Sequence, residues 1–220
     1  SASLNIEENS LDAKQYAILG KKQFLNAQYI TGTEKFHPTS TSYSAYNSKT
    51  HSWLMIKGHI QKYRSLSNVF NLGYMGEVVI SSKNLLNNYT SSILQAPAFT
   101  PTPHSVIVFN EAFRANQYIA AGISPIFKIS KLLHFRTDFY AFSPIYEVRK
   151  NISMIDDKTQ YAPEYGPFLK SFKYMGETAF VLQLPFASIS LYANGYSYPK
   201  KNFNFGLNIG YLLFNPKILD

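Results

Sequence analysis

The sequence predicts an all-β fold, an antiparallel transmembrane β-barrel with eight or nine strands in residues 1–220. Three observations carry that reading. Apolar and polar residues alternate with period 2 in one segment after another. The composition is aromatic and neutral-polar rather than charged. The links between the alternating segments are short and long in turn.

The alternation is clearest at the C-terminal end. Phe203, Phe205, Leu207, Ile209, Tyr211 and Leu213 fall on one face, and Asn202, Asn204, Gly206, Asn208 and Gly210 on the other. One face suits lipid and the other a hydrated interior. The pattern recurs at 186–196, 169–184, 132–142, 117–129, 69–81, 52–63 and 22–34, and a weaker strand is expected at 14–19. In 69–81, for example, Phe70, Leu72, Tyr74, Val78 and Ile80 oppose Asn71, Gly73, Glu77 and Ser81.

The links give the strands an orientation. Those at 184–187, at Ser130 and Lys131, at 64–68 and at Gly20-Lys21 are short, whereas those at 143–168, 82–116 and 35–51 are long. Outer-membrane barrels have short periplasmic turns and long external loops. With the C-terminus in the periplasm, every link falls on its expected side. Loop 82–116 carries Pro97, Pro101 and Pro103 and is expected to be too rich in proline for a helix. The alternative is a secreted β-sandwich, which also alternates. Its outward faces need charge, whereas these polar faces are mostly Asn, Ser, Gly and Tyr.

Composition narrows the classes further. Aromatic residues make up 16% of the chain and charged ones only 15%, against roughly 25% in soluble domains. Mean hydropathy is nevertheless −0.15, so the polarity comes from uncharged groups. No run approaches the ~20 apolar residues of a membrane helix. The net charge is +8, but lysines and arginines are scattered, so a nucleic-acid partner is not expected. Anionic outer-membrane lipid or lipopolysaccharide is the expected partner. There is no cysteine, which excludes a disulfide scaffold and a thiolate metal site. Ser1-Ala2-Ser3-Leu4-Asn5 lacks the features of a secretory leader, so the chain is expected to be a fragment or a processed product.

Three segments carry a family resemblance: Asn88 to Ser105, Phe113-Arg-Ala-Asn116, and the closing Asn208-Ile-Gly-Tyr-Leu-Leu-Phe214. Together they resemble the C-terminal barrel of patatin-like phospholipases of Bacteroidetes-type bacteria, within the bacterial surface-antigen or outer-membrane assembly-factor superfamily. The resemblance covers essentially the whole chain. It implies the C-terminal half of a 16-stranded barrel, since five strands follow the longest loop here as they do there. It makes Phe113 and Arg114 the candidate clasp by which that loop holds the interior, although Ala115 and Asn116 stand where Gly-aromatic is usual. The last strand matches the barrel-assembly signal at Asn204, Gly206, Ile209 and Tyr211, which implies the barrel-assembly machinery as a partner. The implied location is the bacterial outer membrane. The implied role is to anchor or export an upstream hydrolase domain. Alternatives are the barrel of an outer-membrane protein assembly or translocation factor, and a small self-contained porin or adhesin.

Chemistry is expected to lie elsewhere. A patatin-like hydrolase needs Gly-x-Ser-x-Gly, and no such motif occurs. The chain is therefore expected not to be an enzyme itself, with no cofactor and no metal. His51, His59, His104 and His134 are read as interior or loop residues. His134, Arg136 and Asp138 share a face, and Asp156-Asp157 is read as solvated loop. The expected interior charges are Lys57, Glu77, Lys128, Arg136, Asp138, Lys173 and Glu177. Their mixed signs suit a network that plugs or stiffens a barrel, and not the one-signed ring of a selective pore.

Overall fold

The computed structural model describes residues 1–36, 47–155, 158–198 and 202–211. Its strands are β1 (Ala2–Asn9), β2 (Gly20–Phe36), β3 (Asn47–Ser65), β4 (Phe70–Ser81), β5 (Tyr118–Lys128), β6 (Leu133–Pro144), β7 (Tyr146–Ile155), β8 (Lys158–Phe168), β9 (Lys173–Gln183), β10 (Ala187–Tyr196) and β11 (Asn202–Tyr211). Nine of them form one sheet in the order β1-β2-β3-β4-β5-β6-β9-β10-β11, with every neighbouring pair antiparallel. Among the described residues β7 and β8 pair only with each other, as a hairpin inserted between the sheet neighbours β6 and β9. Five strands of the sheet follow the long link 82–117. Among the described residues, no helix is long and apolar enough to cross a membrane.

Period-2 alternation sets the two faces. In β4, Asn71, Gly73, Met75, Glu77, Val79 and Ser81 are buried, while the residues between them are exposed or half-buried. The same split holds through β5, β6 and β9. In β11, Phe203 is 74% exposed, Phe205 81% and Leu207 57%. From β4 to β11, leaving aside the β7–β8 hairpin, the outward positions of the sheet strands carry no Asp, Glu, Lys or Arg. A cross-strand row of Phe70, Phe127, Phe135, Phe180, Leu191 and Leu207 runs along this outer face. Outward apolar positions beside inward Asn, Ser, Glu and Arg reverse the usual soluble pattern.

Three tyrosines lie on the inner face, each over a glycine paired directly opposite it. The pairs are Tyr63 with Gly73, Tyr140 with Gly122 and Tyr192 with Gly206. A Cβ on any of these glycines would overlap the tyrosine ring. Each ring therefore lies along the wall in space left by the missing side chain.

Four details differ from the sequence reading. The strand expected at 14–19 is not a strand, and the link into β2 is 10–19 rather than Gly20-Lys21. Tyr16 adopts φ 54°, a left-handed conformation that ends any extended run. Asp12 Oδ1 also accepts from the amides of Ile18 and Leu19 at 3.0 and 3.1 Å, folding the segment into a turn. The ninth strand is instead β1, whose alternation is weak because Leu4 and Ile6 are its only large apolar residues.

The proline-rich loop does contain helices, α1 (Tyr89–Gln95) and α2 (Pro103–Ile107), followed by a 3-10 turn at Glu111–Phe113. Its prolines sit where they do no harm. Pro97 lies beyond α1, and Pro103 opens α2, where a missing N–H has no partner to lose. Asn88 caps α1 through the amides of Thr90 and Ser91, and Thr102 caps α2 through that of Ser105. The link 143–168, in turn, is largely the β7–β8 hairpin.

Candidate functional site on the inner face

The inner face is filled from both ends. From the long-link end, segment 82–117 folds onto β4, β5, β6, β9 and β10. Phe99 stacks on Phe142 and meets Tyr118 and Tyr140 edge-on, while Phe113 packs on Phe142 and Tyr196. Phe99, Phe113, Ala112 and Ala115 are all buried there. A backbone bond from Phe99 N to Phe113 O at 2.9 Å ties the two limbs of the segment together.

From the short-link end, segment 10–19 crosses the same face. Asn71 of β4 donates to Ile18 O at 2.8 Å, and Arg136 of β6 to Ala17 O at 3.2 Å. Tyr16 donates to Glu177 of β9 and accepts from Ser190 of β10. Gln15 Oε1 accepts from Ser188 of β10 and Asn208 of β11, both at 3.3 Å. One short segment thus touches five strands.

Buried ion pairs anchor the polar part. Arg136 grips Asp138 through two bonds of 2.9 and 2.7 Å, and a third from Arg136 goes to the Tyr63 hydroxyl at 3.3 Å. Its guanidinium also lies over the rings of Tyr16 and Tyr63. Glu77 is held by Lys57 at 3.0 Å, by His59 Nδ1 at 2.9 Å and by the Tyr118 hydroxyl at 2.6 Å. Buried charges need such partners, because an unpaired one is costly in this surrounding. Glu177 Oε2 is buried without a partner among the described residues. Between the two inserted segments lies a cavity of about 230 Å³, lined by Gln15, Tyr63, Thr102, Arg136, Asp138 and Tyr140 among others.

Of the expected interior charges, Lys57, Glu77, Arg136, Asp138 and Glu177 belong to this network. Lys128 and Lys173 sit at opposite ends of it: Lys128 reaches Ser65 at 3.5 Å beside a short link, and Lys173 pairs with Glu147 at the base of the β7–β8 hairpin. The expected clasp divides in two. Phe113 contacts the wall. Arg114 instead turns back on its own segment and donates to the carbonyls of Ile93, Leu94 and Ala96 at 3.2, 2.7 and 2.9 Å, which closes the C-terminal end of α1. Its guanidinium lies over Phe109.

Asn204, Gly206 and Ile209 alternate inward, inward and outward on β11, and Asn204 donates to Asn194 at 3.2 Å. The strand runs to Tyr211, whose side chain lies outside the described residues, as do Leu213 and the pair Asp156-Asp157. Sequence reasoning missed Tyr16, Tyr63 and Tyr118, each of which ties an inserted segment or strand to a charged side chain. Inward parity of Tyr63 and Tyr118 was the available signal.

Three of the four expected histidines have partners other than serine hydroxyls, and Nε2 of the fourth, His134, is buried with no partner among the described residues. His51 pairs with Glu34, His59 with Glu77, and His104 Nδ1 with the Tyr196 hydroxyl at 3.0 Å. Burial holds the His104 imidazole below its ordinary pKa and so favours the neutral ring. Burial and the neighbouring Glu177 push the Tyr16 hydroxyl up, which keeps it a proton donor. The Tyr89 hydroxyl rises to about 12, through burial and the nearby Glu111.

Lys83 follows β4. It donates to Gln95 at 2.9 Å and lies over Trp53, and burial lowers it to about 8. Glu34 of β2 receives the Asn87 amide at 2.8 Å, so segment 82–88 is held to the β2–β3 ribbon. No known protein family, curated protein or solved structure matches the chain.

Proposed function

We propose that these strands are the C-terminal part of an outer-membrane β-barrel whose job is to anchor or export an upstream patatin-like hydrolase domain. The observation that carries the membrane reading is the outer face. Six sheet strands present Phe, Leu, Ile, Tyr, Val, Ala, Gly, Thr, Ser or Pro outward and no charge. In water such a face is a large liability. In lipid it is what a spanning strand requires, with the polar side chains turned inward.

The filled inner face favours an anchor over a diffusion pore. Two segments enter from opposite ends, and the interior charges are of mixed sign, with Glu77 paired to Lys57 and Asp138 to Arg136, rather than aligned as a ring of one sign. The ribbon of β2 and β3 pairs from Gly20 to Phe36. At roughly 3.3 Å per residue such a strand runs to about 55 Å, about twice the ~25 Å apolar band of a barrel. Part of that ribbon would project from the long-link side.

Fractionation tests the reading. The full-length protein is expected in the outer-membrane fraction, released only by detergent and migrating differently before and after boiling. Recovery in the soluble fraction without detergent would refute it. The hydrolase assignment is separate: it requires a Gly-x-Ser-x-Gly α/β domain in the upstream sequence.

A further inference from the structure

The outer face changes character at β3. From β4 onward the sheet strands carry no outward charge, but β1, β2 and β3 do. On β3, Leu54, Ile56, Gly58 and Ile60 share the outward parity, and the next two outward positions toward the short link are Lys62 and Arg64. Lys62 is paired directly opposite Lys21 of β2. Like charges so placed repel each other. Lys21 has a carboxylate at 3.2 Å, that of Glu8 on β1, which Gln23 also holds at 2.6 Å. Lys62 and Arg64 have no acidic partner among the described residues.

The other end of this apolar stretch is equally sharp. Beyond Leu54 come Ser52 and Thr50, opposite Thr31 and Thr33 of β2, with hydroxyls 3.1 and 3.5 Å apart. The first outward cation past them is Lys35. From Ser52 to Lys62 an extended strand covers about 33 Å. At the tilt of about 40° of a barrel strand this is about 25 Å of height, the depth of the apolar band of an outer-membrane barrel. Hydroxyls thus mark one boundary of the band and cations the other. Tyr74, opposite Lys62 on β4, is 41% exposed and adds an aromatic ring with a polar tip at the cation level, as tyrosines do where lipid meets water.

We propose that Lys21, Lys62 and Arg64 bind the headgroup phosphate of an anionic phospholipid in the leaflet beside the short links. A phosphate there supplies the counter-charge that Lys62 and Arg64 lack, and it relieves the repulsion across the Lys21–Lys62 pair. Arg64 offers a planar fork to two phosphate oxygens, and each lysine a point charge. Lipopolysaccharide fits less well, because its phosphates lie in the other leaflet, where these strands present the hydroxyls of Thr31 and Ser52. The proposal rests on the barrel reading above.

Native mass spectrometry of the full-length protein, kept folded in a neutral detergent, tests it by counting bound lipid. The probes are phosphatidylglycerol, phosphatidylcholine and lipid A, titrated separately. The wild type is expected to bind phosphatidylglycerol at least roughly tenfold more tightly than phosphatidylcholine. The double variant Lys62→Gln with Arg64→Gln is expected to lose most of that preference, and Lys35→Gln to keep it. If the double variant lacks the heat-dependent band, each single variant is read in the same way. Equal binding of the two phospholipids by the wild type would overturn the site. So would a preference that survives in the folded double variant, or one that Lys35→Gln lowers as much. Tighter binding of lipid A than of phosphatidylglycerol, lost in the same variant, would assign the cations to lipopolysaccharide and overturn the phospholipid. Each of these outcomes leaves the membrane reading intact, whereas a wild type soluble without detergent would remove the barrel reading itself.

Discussion

The Tyr16 hydroxyl donates to Glu177 Oε1 at 3.2 Å across 161 residues of sequence, joining the link before β2 to the middle of β9. Tyr16 reaches it from a left-handed backbone conformation that is unfavourable for a bulky residue. Such strain persists only where surrounding contacts enforce it. Tyr16→Phe keeps the ring and removes the donor. It is expected to destabilise the folded protein by about 1.5–3 kcal/mol, the range for a bond to a charged group. A denaturant titration followed by the heat-dependent gel shift measures it, and an unchanged midpoint would show that the bond contributes nothing.

Asp138 and Arg136 form a pair whose side chains are only 2% and 3% exposed. Asp138→Ala strands the guanidinium, and the expected loss is about 3–5 kcal/mol. The double variant Arg136→Met with Asp138→Leu is expected to lose less, because neither charge is then buried alone. If the double variant were as unstable as the single, the cost would lie in packing and not in the orphaned charge.

Leu207 points outward on β11 and Asn208 inward. Leu207→Arg is expected to cost about 2–4 kcal/mol near the midplane of a bilayer, and Asn208→Arg much less. Comparable tolerance at the two positions would undo the assignment of the lipid face.

Lys83 gives a pH dependence outside the sheet. Burial lowers its ammonium from the ordinary 10.5 to about 8. Between those values the unfolded chain still holds a proton that the folded chain has released. Stability from this group therefore rises with pH across that window and is lowest below 8. Competitive acylation should show a Lys83 amine half-reactive near pH 8, and Lys83→Met should flatten the slope of stability against pH between 8 and 10.

The parity of the sheet strands other than β1 was legible because the two faces of the sheet sort residues two by two. Phe203 and Asn204 could each be assigned from their neighbours alone. What lay beyond reach depended on distant partners. Tyr16-Ala17-Ile18 reads as a short apolar run, yet its fate is decided by Glu177, Arg136 and Asn71. Arg114 had the position of a clasp, but the free carbonyls at the end of α1 were nearer, and α1 itself was hidden by prolines that in fact only bound it. Lys128 and Lys173 had inward parity. Parity says nothing about height along the strand, and both fall at the rim.

The three tyrosine-on-glycine pairs fix a clearance. Tyr63 and Tyr140 both line the 230 Å³ space between the inserted segments. Each ring lies flat only because Gly73 or Gly122 offers no side chain beneath it. An added methyl at either glycine must tip its ring off the wall and into that space, a strain of about 1–3 kcal/mol. The glycines thus set how much of that cavity the tyrosine rings leave free. The smallest residues of the wall act as the gauge of the space beside it, and Gly122→Ala is expected to shrink the cavity by tipping Tyr140 into it.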